Sequence, residues 1–280
     1  MKRLTRIALA TALVGSSLTA NAANVLVVLS DSASLDLKDG KVFATGFYLN
    51  EALQPVKMLL DAGHHVTFAT PNGKAPTVDK SSVDKMYFNN DAATLETYQH
   101  LLDQLQLTQP EHSPVISLAR VEQIGYQQFD AVYIPGGHAP MQDLLHSRAL
   151  GRLLTDFHTR QKTTALVCHG PIALLSTLPD AERFTAQLQT AKPASASADW
   201  IYAGYKMTVI SNNEEQAAKA LLNGGEMKFY PQTALETAGG SYSSNTSNWT
   251  AHVVTDRELI TGQNPASAVD VGTALLERLK

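Results

Sequence analysis

The feature that most constrains the fold is an apolar run that leads directly into the only cysteine of the chain. Residues 164–174 read T-A-L-V-C-H-G-P-I-A-L, with Cys168 followed by His169, Gly170 and Pro171. The run is typical of a buried strand, and the glycine and proline after it indicate a tight turn into a helix. In α/β enzymes, a nucleophile is exposed at such a corner, near the amino end of the next helix, which favours the thiolate. We therefore interpret Cys168 as a nucleophile; the alternative is a buried, inert thiol.

The rest of the chain alternates short apolar runs with longer segments of helical periodicity. Alternation of this kind, with right-handed crossovers, predicts an α/β fold in which a doubly wound, mostly parallel sheet is covered by helices on both faces. The predicted strands are residues 24–30, 65–70, 129–135, 164–167, 206–211, 227–229, 252–255 and 259–261. The predicted helices include residues 46–62, residues 144–160 and a closing helix from 265 or 266 to 279.

Two segments depart from the alternation. Residues 86–122 are polar and are interrupted by Pro110 and Pro114, so we predict an inserted helix and loop that cap the edge of the sheet. Residues 238–250 are rich in Gly, Ser and Asn, which predicts a surface loop. Because no linker or repeat divides the remaining length, we expect one α/β domain over residues 23–280.

The amino terminus has the pattern of a secretory signal peptide. Residues 1–6 are basic, residues 7–19 are mostly apolar, and Ala20-Asn21-Ala22 is a small-x-small cleavage site. The apolar run is too short to span a membrane, so we expect no membrane partner after cleavage. We predict a signal peptide over residues 1–22 and export of the rest, to the bacterial periplasm or out of the cell.

Charge and cysteine content limit the expected partners. Removing residues 1–22 takes away Lys2, Arg3 and Arg6 and no acidic residue, which lowers the formal net charge from −4 to −7. A mildly acidic chain is a poor ligand for the phosphate backbone, so we expect no nucleic-acid partner. One cysteine excludes an internal disulfide, and in an oxidising compartment a lone thiol favours a chemical role.

Four ordered landmarks resemble those of the PfpI superfamily, in particular its branch of heat-shock chaperones and glutathione-independent glyoxalases (glyoxalase III). The landmarks are Glu51 in L-N-E-A-L-Q-P, the Gly136-Gly137-His138 turn, the Cys168 corner, and T-G-Q-N-P-A-S-A at residues 261–268. The resemblance extends over residues 25–279. It implies a flavodoxin-like three-layer sandwich, in agreement with the alternation of strands and helices.

The same resemblance implies the catalytic residues. The nucleophile of the family falls on Cys168, the adjacent histidine on His169, and the acid that hydrogen-bonds the thiol on Glu51. A further acid orients the histidine in this branch. Glu214 and Glu215 are both candidates for that role, and the spacing favours Glu215. For Glu51, an ordinary surface carboxylate is the alternative.

The turn after residues 129–135 is the expected oxyanion and substrate-binding site. It contains Gly136, Gly137 and His138, and the resemblance assigns the oxyanion to the backbone amides of Gly137 or His138 and of His169. His138 is equally well explained as an ordinary loop histidine. No His, Asp and Glu set has helical ligand spacing with a partner nearby, so we expect no metal site.

The activity implied by the resemblance is a cofactor-free, lyase-type conversion of methylglyoxal or a related 2-oxoaldehyde into a hydroxy acid through the cysteine. The expected partners are a small carbonyl substrate, unfolded proteins and a second copy of the chain. A cysteine hydrolase or peptidase and a non-enzymatic chaperone or thiol sensor remain as alternatives. A glutamine amidotransferase is disfavoured because His252, the only histidine after His169, is followed by two valines instead of an acid.

Overall fold

The computed structural model of this chain describes residues 22–190 and 199–280. Apart from Ala22, the predicted signal peptide lies outside the described residues and stays a prediction. None of the helices within these two ranges is long and apolar enough to cross a membrane.

A seven-stranded sheet forms the centre of the fold. The described residues form eleven strands, of which seven belong to this sheet and four form two separate pairs, β2 with β3 and β8 with β9. They are β1 (Asn24–Val28), β2 (Ser34–Asp36), β3 (Val42–Ala44), β4 (His65–Thr70), β5 (Ile116–Ser117), β6 (Ala131–Ile134), β7 (Thr163–Val167), β8 (Lys206–Met207), β9 (Ser241–Tyr242), β10 (Val253–Asp256) and β11 (Leu259–Gly262). The order in the main sheet is β10-β11-β7-β6-β1-β4-β5, and every neighbouring pair is parallel except β10 and β11. The predicted doubly wound, mostly parallel α/β sheet is therefore confirmed.

Helices cover the sheet. They are α1 (Leu49–Asp61), α2 (Ala92–Leu105), α3 (Leu118–Ile124), α4 (Arg148–Thr159), α5 (Ala181–Leu188), α6 (Asn212–Ala218), α7 (Pro231–Ala238) and α8 (Ala268–Arg278). Helix α1 packs against α8, and α3 packs against α4. Consecutive residues of β1 and β6 are fully buried although their side chains alternate between the two faces, so both faces of the sheet are covered.

The path of the chain creates a crevice at the carboxyl ends of the central strands. From β1 the chain continues to β4 and β5 on one side, then returns to β6, β7 and β11 on the other side. The direction of winding therefore changes between β1 and β6, and ligands of open α/β sheets bind at such a point. The loop after β6 and the corner after β7 both lie at this edge.

One predicted strand is shorter than expected, and another is absent from the described residues. Within residues 206–211, only Lys206–Met207 form a strand, and it pairs with β9 outside the main sheet. The backbone N–H groups of the following residues do not pair with a strand: Thr208 N–H donates to Thr261 Oγ1, and Ile210 N–H donates to the Cys168 carbonyl. Residues 227–229 form no strand, because a three-residue alternation does not specify a pairing partner.

Three other segments differ in detail from the prediction. The predicted helix over residues 144–160 is divided into a 3₁₀ turn, Leu144–His146, and α4. Residues 86–122 contain α2 but also β5, which adds a strand to the sheet edge next to β4. Residues 238–250 are a loop that includes the two residues of β9. A strand of two residues is too short to produce a sequence pattern.

Candidate active site

Cys168 lies at a sharp corner immediately after β7. Its φ is +59°, a left-handed conformation that is uncommon for a residue other than glycine. Its N–H donates to the Gly262 carbonyl at 2.9 Å, and its own carbonyl accepts from Ile210 N–H at 3.0 Å. These two bonds hold the backbone on both sides, so the thiol is fixed at the carboxyl edge of the sheet.

The protonation of this thiol differs from the prediction. The side chain is only 2% exposed, and the segment after it, Gly170–Thr177, is a 3₁₀ helix. Burial, followed by the negative charge of Glu51, raises the pKa of the Cys168 thiol well above its ordinary value. The expected exposed thiolate is therefore wrong: the resting group is a buried neutral thiol, and a base must remove its proton during the reaction.

His169 connects this thiol to a carboxylate. Its Nδ1 lies 3.4 Å from the sulfur of Cys168, and its Nε2 lies 2.7 Å from Oε1 of Glu215. Burial opposes ionisation of Glu215, but the charge and hydrogen bond of His169 outweigh it and lower the pKa of that carboxyl. Because a carboxylate only accepts, Nε2 carries a proton, and in the neutral form of the ring the lone pair of Nδ1 faces the thiol. The imidazole is thus oriented as a base toward the sulfur.

The structure places Glu215, and not Glu214, on His169. Glu214 instead forms a capping box with Ser211 at the start of α6. Its carboxylate also accepts from Asn264 Nδ2 at 2.7 Å and from Trp249 N–H at 2.8 Å. The role of Glu214 was missed, although serine followed by glutamate three residues later is the sequence pattern of such a cap.

Glu51 is positioned by an irregularity in α1. Pro55, four residues later, has no N–H to donate to the Glu51 carbonyl, which leaves that oxygen without its helical partner. The hydroxyl of Tyr133 on β6 donates to it instead. Helix α1 is thereby attached to the sheet at Glu51, and the carboxyl points inward and is fully buried, so the alternative of a surface carboxylate is wrong.

The Glu51 carboxyl is tuned for proton transfer near neutral pH. Oε2 accepts from Gly136 N–H at 2.8 Å, whereas Oε1 has no hydrogen-bond partner among the described residues. Burial raises the pKa of Glu51 to about 7, and the charge of His169 and the thiol of Cys168 limit the rise. A group that titrates near the working pH can both accept and donate a proton, as a general acid-base catalyst does.

The backbone of the Gly136-Gly137 turn lies so close to the other groups of the site that neither glycine has room for a side chain. A Cβ atom on Gly136 would lie 2.6 Å from Glu51 Oε2, 2.7 Å from the backbone nitrogen of His169 and 2.8 Å from Cys168 Cβ. Gly137 has φ of +83°, and its Cβ would lie 2.0 Å from the Gly46 carbonyl oxygen. Among the described residues, no acceptor is bound by the backbone N–H groups of Gly137, His138 or His169. These donors are therefore available to a developing oxyanion.

His138 lies beside the histidine of the site. The centroids of the His138 and His169 rings are 4.2 Å apart, and Nε2 of His138 lies 3.9 Å from Oε2 of Glu215. Burial, followed by the charge of His169, lowers the pKa of His138 to about 4, so its ring is neutral at neutral pH. Its Nδ1 has no partner within the part of the protein that is described. His138 does lie in a loop, but it is buried there and is placed to contact a substrate.

Comparison with known proteins assigns the family. A family model described as ThiJ/PfpI family-like matches residues 43–224, which is more than half of the chain. The chain belongs to the ThiJ/PfpI family. This confirms the resemblance inferred from the four landmarks.

Relatives of this ThiJ/PfpI protein align along most of its length. The protein/nucleic acid deglycase HchA of Staphylococcus aureus strain MSSA476 is 25% identical over 250 residues, which are 89% of this chain and 77% of that relative. The Rapid Encystment Protein 24 kDa of Francisella tularensis has a TM-score of 0.65 at 22% identity, covering 92% of this chain and 99% of the other. Glyoxalase III of Candida albicans has a TM-score of 0.64 at 20% identity, covering 92% and 98%. The two structures confirm the fold.

The ThiJ/PfpI site also contains a possible metal-ligand set, which the sequence argument missed. Ligand atoms of His138, His169 and Glu215 all lie within 4.8 Å of one another. Two imidazoles and a carboxylate suit zinc or a similar divalent transition metal. The three residues come from three separate segments, so a search for helical ligand spacing could not find them. A metal bound there would compete with the hydrogen bond between His169 and Glu215.

A cavity of about 630 Å³ opens above Cys168. The polar side chains of Cys168, His169, His138 and Glu215 contribute to its lining. Part of its wall comes from residues 86–122, through Met86, Tyr87 and Asn89, so this segment contributes to the candidate active site. Sequence reasoning did not identify these residues, because an isolated tyrosine or methionine gives no sign of facing a cavity.

Proposed function

We propose that this ThiJ/PfpI protein converts methylglyoxal or a related 2-oxoaldehyde into a 2-hydroxy acid without glutathione, using Cys168 as the nucleophile. The observation that carries the proposal is the position of Cys168 between two proton-transfer groups. One is Nδ1 of His169, 3.4 Å from the sulfur, and the other is the carboxyl of Glu51, whose pKa is about 7. A single nucleophile with both partners suits a reaction that adds to a carbonyl and then moves a proton between two carbons.

In the first step the thiol adds to the aldehyde. The neutral thiol gives its proton to His169 Nδ1 as the sulfur bonds to the aldehyde carbon, and the carbonyl oxygen becomes an oxyanion. The backbone N–H groups of Gly137 and His138 stabilise this oxyanion, which takes the proton from the imidazolium of His169 to give a hemithioacetal. Glu215 stabilises the imidazolium that forms, since its carboxylate accepts from Nε2 at 2.7 Å.

In the second step the hemithioacetal is isomerised. Ionised Glu51 removes the proton from the carbon bonded to sulfur, which gives an enediolate. The hydroxyl proton moves from the first oxygen to the second, and protonated Glu51 returns its proton to the neighbouring carbon. The product is a 2-hydroxy thioester, so no external oxidant or reductant is required. The pKa of about 7 allows Glu51 to carry the proton in one half of the step and release it in the other.

In the last step water hydrolyses the thioester. His169, neutral again, takes a proton from water as the oxygen attacks the carbonyl, and the thiolate leaves and is reprotonated. The net reaction adds one water to the 2-oxoaldehyde and releases the 2-hydroxy acid. The protein returns to the neutral thiol of the resting site.

Deglycation is a second candidate that uses the same chemistry. The Staphylococcus aureus relative, similar over 89% of this chain, is named as a protein/nucleic acid deglycase. In an adduct of a 2-oxoaldehyde with an amine, the former aldehyde carbon can still bond to the thiol, and the amine is then the leaving group. The expectation of no nucleic-acid partner, made from net charge, is not supported by this relative, because net charge does not prevent a cavity from taking up a single modified base.

The thiol-sensor alternative is not favoured by the geometry. Oxidation of cysteine is fastest for accessible thiolates, whereas Cys168 is 2% exposed and its pKa is raised.

The test of the proposed function is lactate formation from methylglyoxal by the purified protein without glutathione. We expect turnover by the unaltered protein and a loss of about 10³-fold or more in Cys168→Ala and Cys168→Ser. Circular dichroism and thermal unfolding show whether each variant is folded. A folded Cys168→Ala protein that keeps full activity would refute the mechanism.

A further inference from the structure

Exposed apolar side chains are concentrated around the cavity above Cys168. Met86, Leu221, Trp249 and Val269 all line this cavity, and their exposed fractions are 62%, 46%, 46% and 45%. The other large apolar side chains exposed in the described residues are Val42, Leu60 and Ile124. Apolar surface gathered around a cavity is typical of a ligand-binding site. We call these four residues the apolar rim.

The apolar rim is assembled from four different parts of the fold. Met86 belongs to the 3₁₀ helix Lys85–Phe88, Leu221 to the 3₁₀ helix Lys219–Leu222, and Val269 to α8. Trp249 lies in the loop before β10. Side chains from four separate segments surround the opening of the cavity. Apolar residues on a single helix would instead form one face, which another helix could cover.

The position of Trp249 is maintained by the helix that also serves the catalytic histidine. Its φ is +61°, and its N–H donates to Oε1 of Glu214 at 2.8 Å. Glu214 is fully buried, and the next residue in α6 is Glu215, which orients His169. The loop that contains Trp249 is therefore held at a fixed position relative to the candidate catalytic groups.

The size and polarity of the cavity match a substrate larger than methylglyoxal. A volume of about 630 Å³ is in the range of pockets that hold drug-sized ligands, roughly 300–1,000 Å³. The three-carbon methylglyoxal would leave most of this space unfilled. The buried polar groups suit an aldehyde and a ketone, and the rim suits a hydrocarbon group attached to the ketone.

We infer that the protein prefers 2-oxoaldehydes whose ketone carries an apolar substituent larger than methyl, such as an alkyl chain or an aryl ring. The aldehyde carbon bonds to Cys168, and the substituent contacts Met86, Leu221, Trp249 and Val269. The inference rests on the proposed function, and it specifies which substrates the same site takes.

The test is a substrate series measured by hydroxy-acid production. Methyl-, propyl-, isobutyl- and phenylglyoxal are compared with the unaltered protein, and Cys168→Ala gives the background for each compound. Burial of a methylene group corresponds to about a fourfold gain, so we expect kcat/KM to rise roughly two- to fourfold per added methylene at a partly exposed rim. For phenylglyoxal we expect a gain of about tenfold or more over methylglyoxal.

Rim variants determine whether the gain comes from the proposed contacts. Trp249→Ala keeps the backbone bond to Glu214, and Leu221→Ser removes apolar surface at another point of the rim. In each we expect a loss of roughly three- to tenfold for phenylglyoxal and less than twofold for methylglyoxal. Val42→Ser is the matched control, since Val42 is 63% exposed but does not line the cavity. It should change neither value.

The outcomes separate the two proposals. If methylglyoxal is turned over through Cys168 but the series is flat, this inference fails and the proposed function stands. If no 2-oxoaldehyde is turned over, both fail. If Leu221→Ser and Trp249→Ala change the mass measured by light scattering and leave the phenylglyoxal-to-methylglyoxal ratio unchanged, the rim is a subunit interface and the inference is overturned.

Discussion

Replacing Glu51 by glutamine tests both the protonation and the burial of this carboxyl. Glutamine has the same shape, and its side-chain oxygen can still accept from Gly136 N–H, which donates to Glu51 Oε2 at 2.8 Å. The amide cannot titrate, so the variant removes the charge and leaves the packing. We expect kcat for lactate formation to fall about 10²–10⁴-fold, because the group that moves the carbon-bound proton is lost.

The same substitution should change how stability depends on pH. In the folded protein the pKa of Glu51 is about 7, above its ordinary value of 4.5. The folded state therefore holds this proton more tightly than the unfolded state. The resulting stabilisation is fully present below pH 4.5 and is lost as the pH rises through 7. A difference of this size makes the wild-type free energy of unfolding fall by about 2–3 kcal/mol between pH 5 and pH 8 through this group alone.

The assay is urea unfolding of both proteins at pH 5 and pH 8, followed by circular dichroism. All other titrating groups are shared, so the difference between the two pH responses isolates Glu51. We expect Glu51→Gln to lose about 2–3 kcal/mol less than wild type over this interval. Glu215→Gln is the control without a response in this interval, because the pKa of Glu215 is lowered below 4.5 in the folded state and its contribution to stability is lost only at lower pH. Equal pH responses of wild type and Glu51→Gln would refute the reasoning.

Four other predictions test the remaining parts of the site. Glu215→Gln should lower kcat about 10²-fold by removing the negative charge that stabilises the imidazolium of His169, and an unchanged rate of lactate formation would exclude that role. Gly136→Ala should abolish turnover and lower stability by about 1–3 kcal/mol in urea unfolding, because its Cβ would lie 2.7 Å from a backbone nitrogen; a stable, active variant would contradict the geometry. Cys168 should react slowly with iodoacetamide at pH 7 and faster in Glu51→Gln, where the neighbouring charge is absent; equal rates would show that Glu51 does not raise the thiol pKa. We also propose that the exported chain begins at Ala23, and amino-terminal sequencing of protein from the periplasmic fraction checks this; an uncleaved cytosolic protein would contradict it.

The central strands were predictable because their pattern is local and strong. β1 and β6 are continuous apolar runs, and β4 spans the predicted residues 65–70. The predicted strand over residues 206–211 has a similar pattern, but its backbone groups bond to Thr261 and to the Cys168 corner. Hydrophobic periodicity reports burial, and burial alone does not distinguish a strand in the sheet from a segment packed against it.

The candidate site was partly predictable. The corner at Cys168 and the Gly136-Gly137 turn each follow a recognisable strand, so both had to lie at the carboxyl edge of the sheet. The choice between Glu214 and Glu215 depends on which side of α6 faces the thiol, and spacing could only favour one of them. Met86 lies in a four-residue 3₁₀ helix and Trp249 lies in a loop, and both segments are too short or too irregular to produce a sequence pattern that places these residues over the cavity.

Local sequence therefore accounts for the order of strands and helices, and for a nucleophile at a strand end, because backbone preferences and apolar periodicity act over a few residues. The protonation of that nucleophile has a different origin. The pKa of the Cys168 thiol depends on burial and on the charge of Glu51. The backbone of Glu51 is held by the Tyr133 hydroxyl, which donates to the carbonyl oxygen that Pro55 leaves without a helical donor. Desolvation and charge act through space, so these properties exist only once distant segments have packed together.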